Sequence, residues 1–270
     1  MESVSALEDS LQRRQFLTSS LAASAVALAP QSGAQMSSAK PREYYQIRKY
    51  FLQNGPQTKL TESYFADALI PALTRLGLGP IGAFRLEFGN ETPTFYLLIP
   101  GSSVEALATI EFHLAADPDF MKAADPFWNA PAAAPAFIRV ESSLLSAFEG
   151  WPKLTPPAKE KRTFQLRTYE SPSYAAHVRK VEMFHHGEFK IFARSGFHQV
   201  FFGDMLIGSR LPNLTYMLSA TDMDQLNAYW KVFQNDPDWK KLSGSARYNY
   251  EPIVSSVTNL IMSPMSCSQI

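Results

Sequence analysis

The chain has 270 residues, 46% hydrophobic and 19% charged, which is enough apolar material for one large domain or two small ones. Its formal net charge of zero carries no electrostatic footprint for nucleic acid, so none is expected as a partner. A single cysteine, Cys267 near the C-terminus, excludes an internal disulfide and any multi-cysteine metal site, so stability has to come from packing. In chain order, the first feature is an address. Gln12-Arg13-Arg14-Gln15-Phe16-Leu17 precedes an alanine-rich apolar run to Ala29 and the small-residue stretch Gln31-Ser32-Gly33-Ala34. This layout resembles a bacterial twin-arginine export signal, which is read by a receptor and does not anchor the protein. It predicts a signal peptide over 1–34 and a periplasmic or otherwise exported mature chain. No other segment is apolar enough to span a bilayer, so stable membrane insertion is not expected.

Shifted by 119 positions without a gap, the sequence matches itself. Gln46, Arg48 and Tyr50 fall on Gln165, Arg167 and Tyr169, and Arg75 and Gly77 fall on Arg194 and Gly196. Gly89 and Pro93 fall on Gly208 and Pro212, and Asp117-Pro118-Asp119 falls on Asp236-Pro237-Asp238. These matches mark an internal duplication, 41–149 and 163–266, joined by a Pro- and Lys-rich linker at 150–162.

Each copy predicts the same elements. A strand (44–51; 163–169) leads to an amphipathic helix (61–76; 176–195) closed by Gly77 or Gly196, where a left-handed cap favours glycine. Two aromatic strands follow (84–88 and 94–99; 200–202 and 214–218), and the turn at Gly89 or Gly208 divides each pair. A second helix opens at a capping box, Ser102-Ser103-Val104-Glu105 or Thr221-Asp222-Met223-Asp224. The last strand is placed at 140–145 and 254–257. Asp-Pro-Asp-Phe and Asp-Pro-Asp-Trp read as helix starts: the first Asp caps, Pro at the first helical position forfeits no bond, and the second Asp favours the dipole. The order β-α-β-β-α-β, twice, is an α+β pattern of two tandem ferredoxin-like repeats.

These residues together resemble the NIPSNAP family of the dimeric α+β barrel superfamily. The shared pieces are a first strand Gln-Ile-Arg-x-Tyr or Gln-Leu-Arg-x-Tyr, a helix ending in Arg-x-Gly, an aromatic strand, and Asp-Pro-Asp-aromatic. The resemblance covers about 43–148 and 163–264 and leaves out the signal, the linker and the insert 126–135. It implies that the two repeats pair their sheets into one barrel within a single chain. It brings no catalytic residues, so the site has to be read from side chains.

The candidate site lies on the first helix of the second repeat. On a 100° wheel, Val178, Val181, His185, Phe189 and Phe192 share a stripe that should face the sheet, which turns His185 inward. Its counterpart is Ala66, so the repeats diverge at that position. Glu182 and Glu188, three residues to either side, are spaced to orient the imidazole. A lone inward histidine is more often a packing residue than a base. Glu182-x-x-His185 also has the spacing of a carboxylate-bridged metal site, but no second motif accompanies it, and no metal or cofactor is assigned. Tyr50 and Tyr169 are candidate ligand contacts in the barrel mouth, although alternation in a half-buried strand accounts for them equally, and Trp230 either packs against the core or walls the His185 cleft. Arg48 and Arg167 read as structural ion-pair formers ahead of a site for an acidic substrate, and Arg75 and Arg194 as complements to a helix dipole. Two readings stand. One is an enzyme of the cofactor-independent oxygenase or isomerase type, with His185 and Glu182 acting on a small, largely apolar molecule in the second repeat. The other is a non-catalytic binding or scaffold module that associates with itself as a homo-oligomer or with another protein.

Overall fold

The computed structural model describes residues 41–160 and 162–270, so the expected signal peptide lies outside the described residues. Eight strands close into one antiparallel barrel: β1 (Tyr44–Phe51), β2 (Gly82–Phe88), β3 (Thr94–Gly101), β4 (Arg139–Ala147), β5 (Thr163–Glu170), β6 (His198–Ile207), β7 (Asn213–Ala220) and β8 (Ser256–Pro264). Around the barrel the order is β1-β3-β2-β8-β5-β7-β6-β4. Each half therefore contributes four adjacent strands with the same internal order, and the halves meet where β2 pairs with β8 and β4 with β6. Closure leaves no exposed sheet edge.

Between β1 and β2, α1 (Pro56–Ser63) passes through a π turn (Tyr64–Leu69) into α2 (Ile70–Arg75). After β3 come α3 (Val104–Ala108), α4 (Ile110–Ala115) and α5 (Pro118–Trp128). In the second half, α6 (Tyr174–Met183) passes through a π turn (Phe184–Glu188) into α7 (Phe189–Arg194). It is followed after β7 by α8 (Met223–Asn235), α9 (Pro237–Ser243) and α10 (Tyr250–Ile253). Gly77 and Gly196 close their helices at φ 76° and 101°, where a Cβ would be strained. The final strand starts at Ser256 and runs to Pro264, later than the sequence pattern placed it, and Pro126 sits inside α5 instead of opening an insert.

Alternation along the strands divides the side chains between two environments. In β1 and β5, Tyr45, Ile47, Phe164 and Leu166 point into the lumen, where they pack with Phe84, Phe201, Met217 and Met262. The intervening residues Tyr50 and Tyr169 face outward, beneath separate helical layers. The linker is structural. Leu154 enters the lumen cluster, its N–H donates to Glu43 Oε2 at 2.7 Å, and Thr155 N–H donates to the carbonyl of Val200 at 2.8 Å.

The Asp-Pro-Asp starts behave as their chemistry requires. Asp117 Oδ1 accepts from the N–H groups of Asp119 and Phe120 at 3.0 Å, and Asp236 Oδ1 accepts from Asp238 and Trp239 at 2.9 and 3.2 Å. Arg75 and Arg194 have a firmer role than a dipole contact, since each clamps the capping aspartate of its own half at 2.5 Å. The capping boxes start one residue later than expected. Ser103 caps α3 by accepting from Ala106 N–H at 3.1 Å, and Asp222 caps α8 by accepting from Gln225 N–H at 2.8 Å.

Candidate functional site

His185 does not face the sheet. It is exposed, its Nδ1 donates to the carbonyl of Val181 at 2.9 Å, and its Nε2 accepts the linker N–H of Gly150 at 3.0 Å. Both ring nitrogens are thus engaged by backbone, and the imidazole fastens the linker against α6. Glu182 turns elsewhere, to Arg247 at 2.6 Å. The expected pair is not assembled, and Val178 of the same predicted stripe is 55% exposed.

The face that does turn inward carries Ala176, Lys180, Met183, Phe184, Glu188, Ile191 and Phe192. Two causes misdirect a helical wheel here. The π turn inserts an extra residue, so the segments before and after it do not share one wheel, and a stripe fitted through Phe189 and Phe192 is carried wrongly back to Val178 and His185. The inward face also hides two charges, Lys180 at 0% exposure and Glu188 at 1%, which a pattern search reads as solvent-facing. They are tolerated inside because they bond to each other. Burial pushes the Glu188 carboxyl above the usual carboxylate range, and the charges of Lys180 and Arg167 partly offset that rise. The Lys180 ammonium is further enclosed by the rings of Tyr169, Phe184 and Trp239 at 5.2, 4.8 and 5.8 Å.

Glu188 and Tyr169 form part of the wall of a cleft of about 320 Å³ between the second-half sheet and α8. Tyr169 therefore lines a pocket, but under the helices and not in the barrel mouth. Trp230 lies over the same cleft, which does not include His185, and donates from Nε1 to Gln165 Oε1 at 2.7 Å. Gln165 in turn donates to Asn259 Oδ1 at 2.8 Å, which locks its amide orientation. The Arg167 guanidinium lies 4.6 Å from the Trp230 ring and donates from Nε to Tyr169 Oη at 3.2 Å. Tyr169 Oη meets Tyr216 Oη at 2.7 Å, and burial, followed by Tyr169, raises the Tyr216 phenol well above its ordinary range. The wall combines rings, amides, one guanidinium and one carboxylate, and is more polar than the sequence suggested.

Tyr50 occupies the equivalent place in the first half, beneath α4 and α5, in a cleft of about 380 Å³. Here Arg48 bonds Glu111 at 2.6 Å, whereas in the second half the position of Glu111 is taken by Trp230 and the ion pair is replaced by a ring. A larger depression of about 530 Å³ lies at the barrel end, where its charges face one another, as in Lys49 with Glu141 at 3.9 Å. Among the described residues no group of His, Cys, Asp and Glu is arranged to hold a metal, and no helix is long and apolar enough to cross a membrane.

Compared with known proteins, residues 164–269 match the NIPSNAP family model. Among solved structures, a candidate monooxygenase from Lactobacillus acidophilus NCFM superposes with a TM-score of 0.56 at 10% identity, covering 83% of this chain and 95% of that one. A candidate monooxygenase from Fusobacterium nucleatum subsp. nucleatum gives 0.57 at 10% identity, covering 84% and 94%. An anthrone oxidase-like protein gives 0.50 at 12% identity, covering 84% and 92%. At these identities the likeness establishes the fold, that of the α+β barrel proteins. No curated protein matches the chain.

Proposed function

We propose that this chain is an exported tandem NIPSNAP protein that binds, and by proton transfer converts, a small planar molecule in the cleft of its second half. The family match to 164–269, the repeated element order and the common strand order of the two halves support the tandem reading. The twin-arginine pattern of 12–17 supports export. The observation that carries the function is the arrangement around Arg167. A guanidinium stacked on Trp230 and a buried carboxylate, Glu188, face one cleft small enough for a single bicyclic or tricyclic ring system.

The chemistry follows from these groups. Trp230, Phe233 and Trp239 offer ring faces, while Gln165 and Asn259, already locked together, fix the polar edge of a ligand. Glu188 is the proton acceptor, because it lines the cleft and burial raises its affinity for a proton. The proton leaves an acidic C–H or O–H of the ligand for the Glu188 carboxylate, and the electron pair stays on the ligand as an enolate or phenolate facing Arg167. An enolate that regains a proton at another carbon is isomerised, and one that passes an electron to dioxygen enters oxygenation. Both routes share the first step, and the neighbours described as candidate monooxygenases and as anthrone oxidase-like fit the second.

The test uses 2-naphthol, planar and weakly acidic, titrated into the purified chain by fluorescence. We expect saturable binding with a red-shifted, naphtholate-like spectrum at neutral pH. Trp230→Ala should weaken binding at least tenfold, and Glu188→Gln should abolish the spectral shift while leaving binding. Absence of saturation up to millimolar probe, or equal binding by Trp230→Ala, would refute the assignment. Sequencing the N-terminus of the exported form tests the address separately, and an intact Met1 in the cell envelope would overturn it.

A further inference from the structure

We infer that the first half holds a second, independent small-molecule site, selective for a neutral planar compound with a carbonyl oxygen. The site is the cleft of about 380 Å³ beneath α4 and α5. Its key group is Arg48, a guanidinium only 4% exposed. Nε donates to Gln46 Oε1 at 2.7 Å and Nη1 meets Glu111 Oε1 at 2.6 Å, but Nη2 is buried with no hydrogen-bond partner among the described residues. The Tyr50 phenol is a charge and hydrogen-bonding neighbour of the guanidinium, but no acceptor meets Nη2 in good geometry. A buried donor so poorly met is costly, and an acceptor oxygen of a ligand relieves that cost.

The remaining walls define the rest of the ligand. Tyr64 and Phe127 stack at 3.8 Å with 5° between their planes, and Trp128 is fixed by donating from Nε1 to Tyr64 Oη at 3.1 Å. These rings are held by their own contacts, so the cleft is preorganised to accept an aromatic face. Charge then selects among acceptors. Glu111 already neutralises Arg48 from the rim, with its side chain 54% exposed, so a carboxylate ligand would meet repulsion that an amide, ketone or quinone oxygen would not. The second half lacks this carboxylate at the matching position, where Trp230 stands. The two clefts thus share a Gln-x-Arg-x-Tyr strand but differ in what faces the arginine, a carboxylate in the first and a ring in the second.

The experiment compares 1-naphthamide with its anionic isostere 1-naphthoate, each titrated into the full chain by calorimetry. Two blocked variants locate the binding: Val140→Trp fills the first cleft from its rim, and Asn227→Trp fills the second. Naphthamide should bind the wild type and Asn227→Trp alike, and Val140→Trp should weaken it at least tenfold. Glu111→Gln should raise the naphthoate affinity at this site severalfold relative to naphthamide. Circular dichroism checks that each variant folds. If Val140→Trp binds naphthamide as the wild type does, or the wild type does not bind it up to millimolar concentration, the site is disproved. Naphthoate binding to Asn227→Trp as tightly as naphthamide would disprove the selectivity for neutral ligands.

Discussion

Lys180 and Glu188, eight residues apart on either side of a π turn, bond to each other with side chains at 0% and 2% exposure. The equivalent positions of the first half are Thr61 and Leu69, so one half keeps charge where the other keeps none. Neutralising one partner strands the other in a medium that solvates it poorly. Glu188→Leu alone should therefore cost about 3–5 kcal/mol, whereas the double variant Lys180→Met/Glu188→Leu should recover most of that loss. Urea unfolding of Lys180→Met, Glu188→Leu and the double variant decides this. If the double variant loses as much as the singles summed, the pair is not coupled.

The same carboxylate sets a pH dependence. Its folded pKa lies above the unfolded value, so the native state binds the proton more tightly, and stability falls as pH rises from the ordinary carboxylate range through the raised value. Glu188→Gln should remove this fall. The check is the urea midpoint measured in steps from pH 4 to pH 8. An unchanged slope in the variant would place the titration elsewhere.

Asp117 and Asp236 act in the opposite direction. Hydrogen bonds from Arg75 and Arg194 hold their carboxyls below the usual range. The stability they contribute is present above about pH 4 and is lost as pH falls through the lowered values. Asp236→Asn should flatten the acid limb of the stability curve between pH 5 and pH 2, with a smaller effect near neutrality. A curve parallel to the wild type would show that the clamp does not titrate with folding.

His185 should matter to stability and not to ligand conversion. Removing the imidazole takes the acceptor from Gly150 N–H, an exposed group that water then solvates, so His185→Ala should cost about 1 kcal/mol or less. Its binding of 2-naphthol should match the wild type. Loss of the naphtholate spectrum in this variant, with its fold intact, would reinstate His185 as the base.

The Trp230 ring covers Arg167, and a partly desolvated contact of this kind is worth about 1–2 kcal/mol. Trp230→Glu would recreate the first-half ion pair and should lower the affinity for naphthoate relative to naphthamide. Calorimetry with naphthoate and naphthamide reads the outcome directly.

Much was legible because it is local. An Asp before Pro caps a helix wherever it occurs, a glycine accepts positive φ, and alternation assigns strand faces, so the element order, the Asp-Pro-Asp starts and the caps at Gly77 and Gly196 follow from short stretches of residues. The 119-residue self-match likewise brought Arg48 and Arg167, and Tyr50 and Tyr169, to notice before any fold was known. Trp230 and Tyr169 stand out in the sequence by their ring chemistry, whereas the cleft they share forms only in the fold.

What the sequence by itself determined is the succession of elements, because backbone propensities and capping act within a few residues. Tertiary structure alone decided which helical face turned inward. Lys180 and Glu188 are buried because each supplies the other's counter-charge across a π turn, and no pattern of hydrophobicity encodes that partnership. It also decided that His185 would hold the linker while Arg167 and Glu188 came to share a cleft, since those neighbours meet only when the barrel closes.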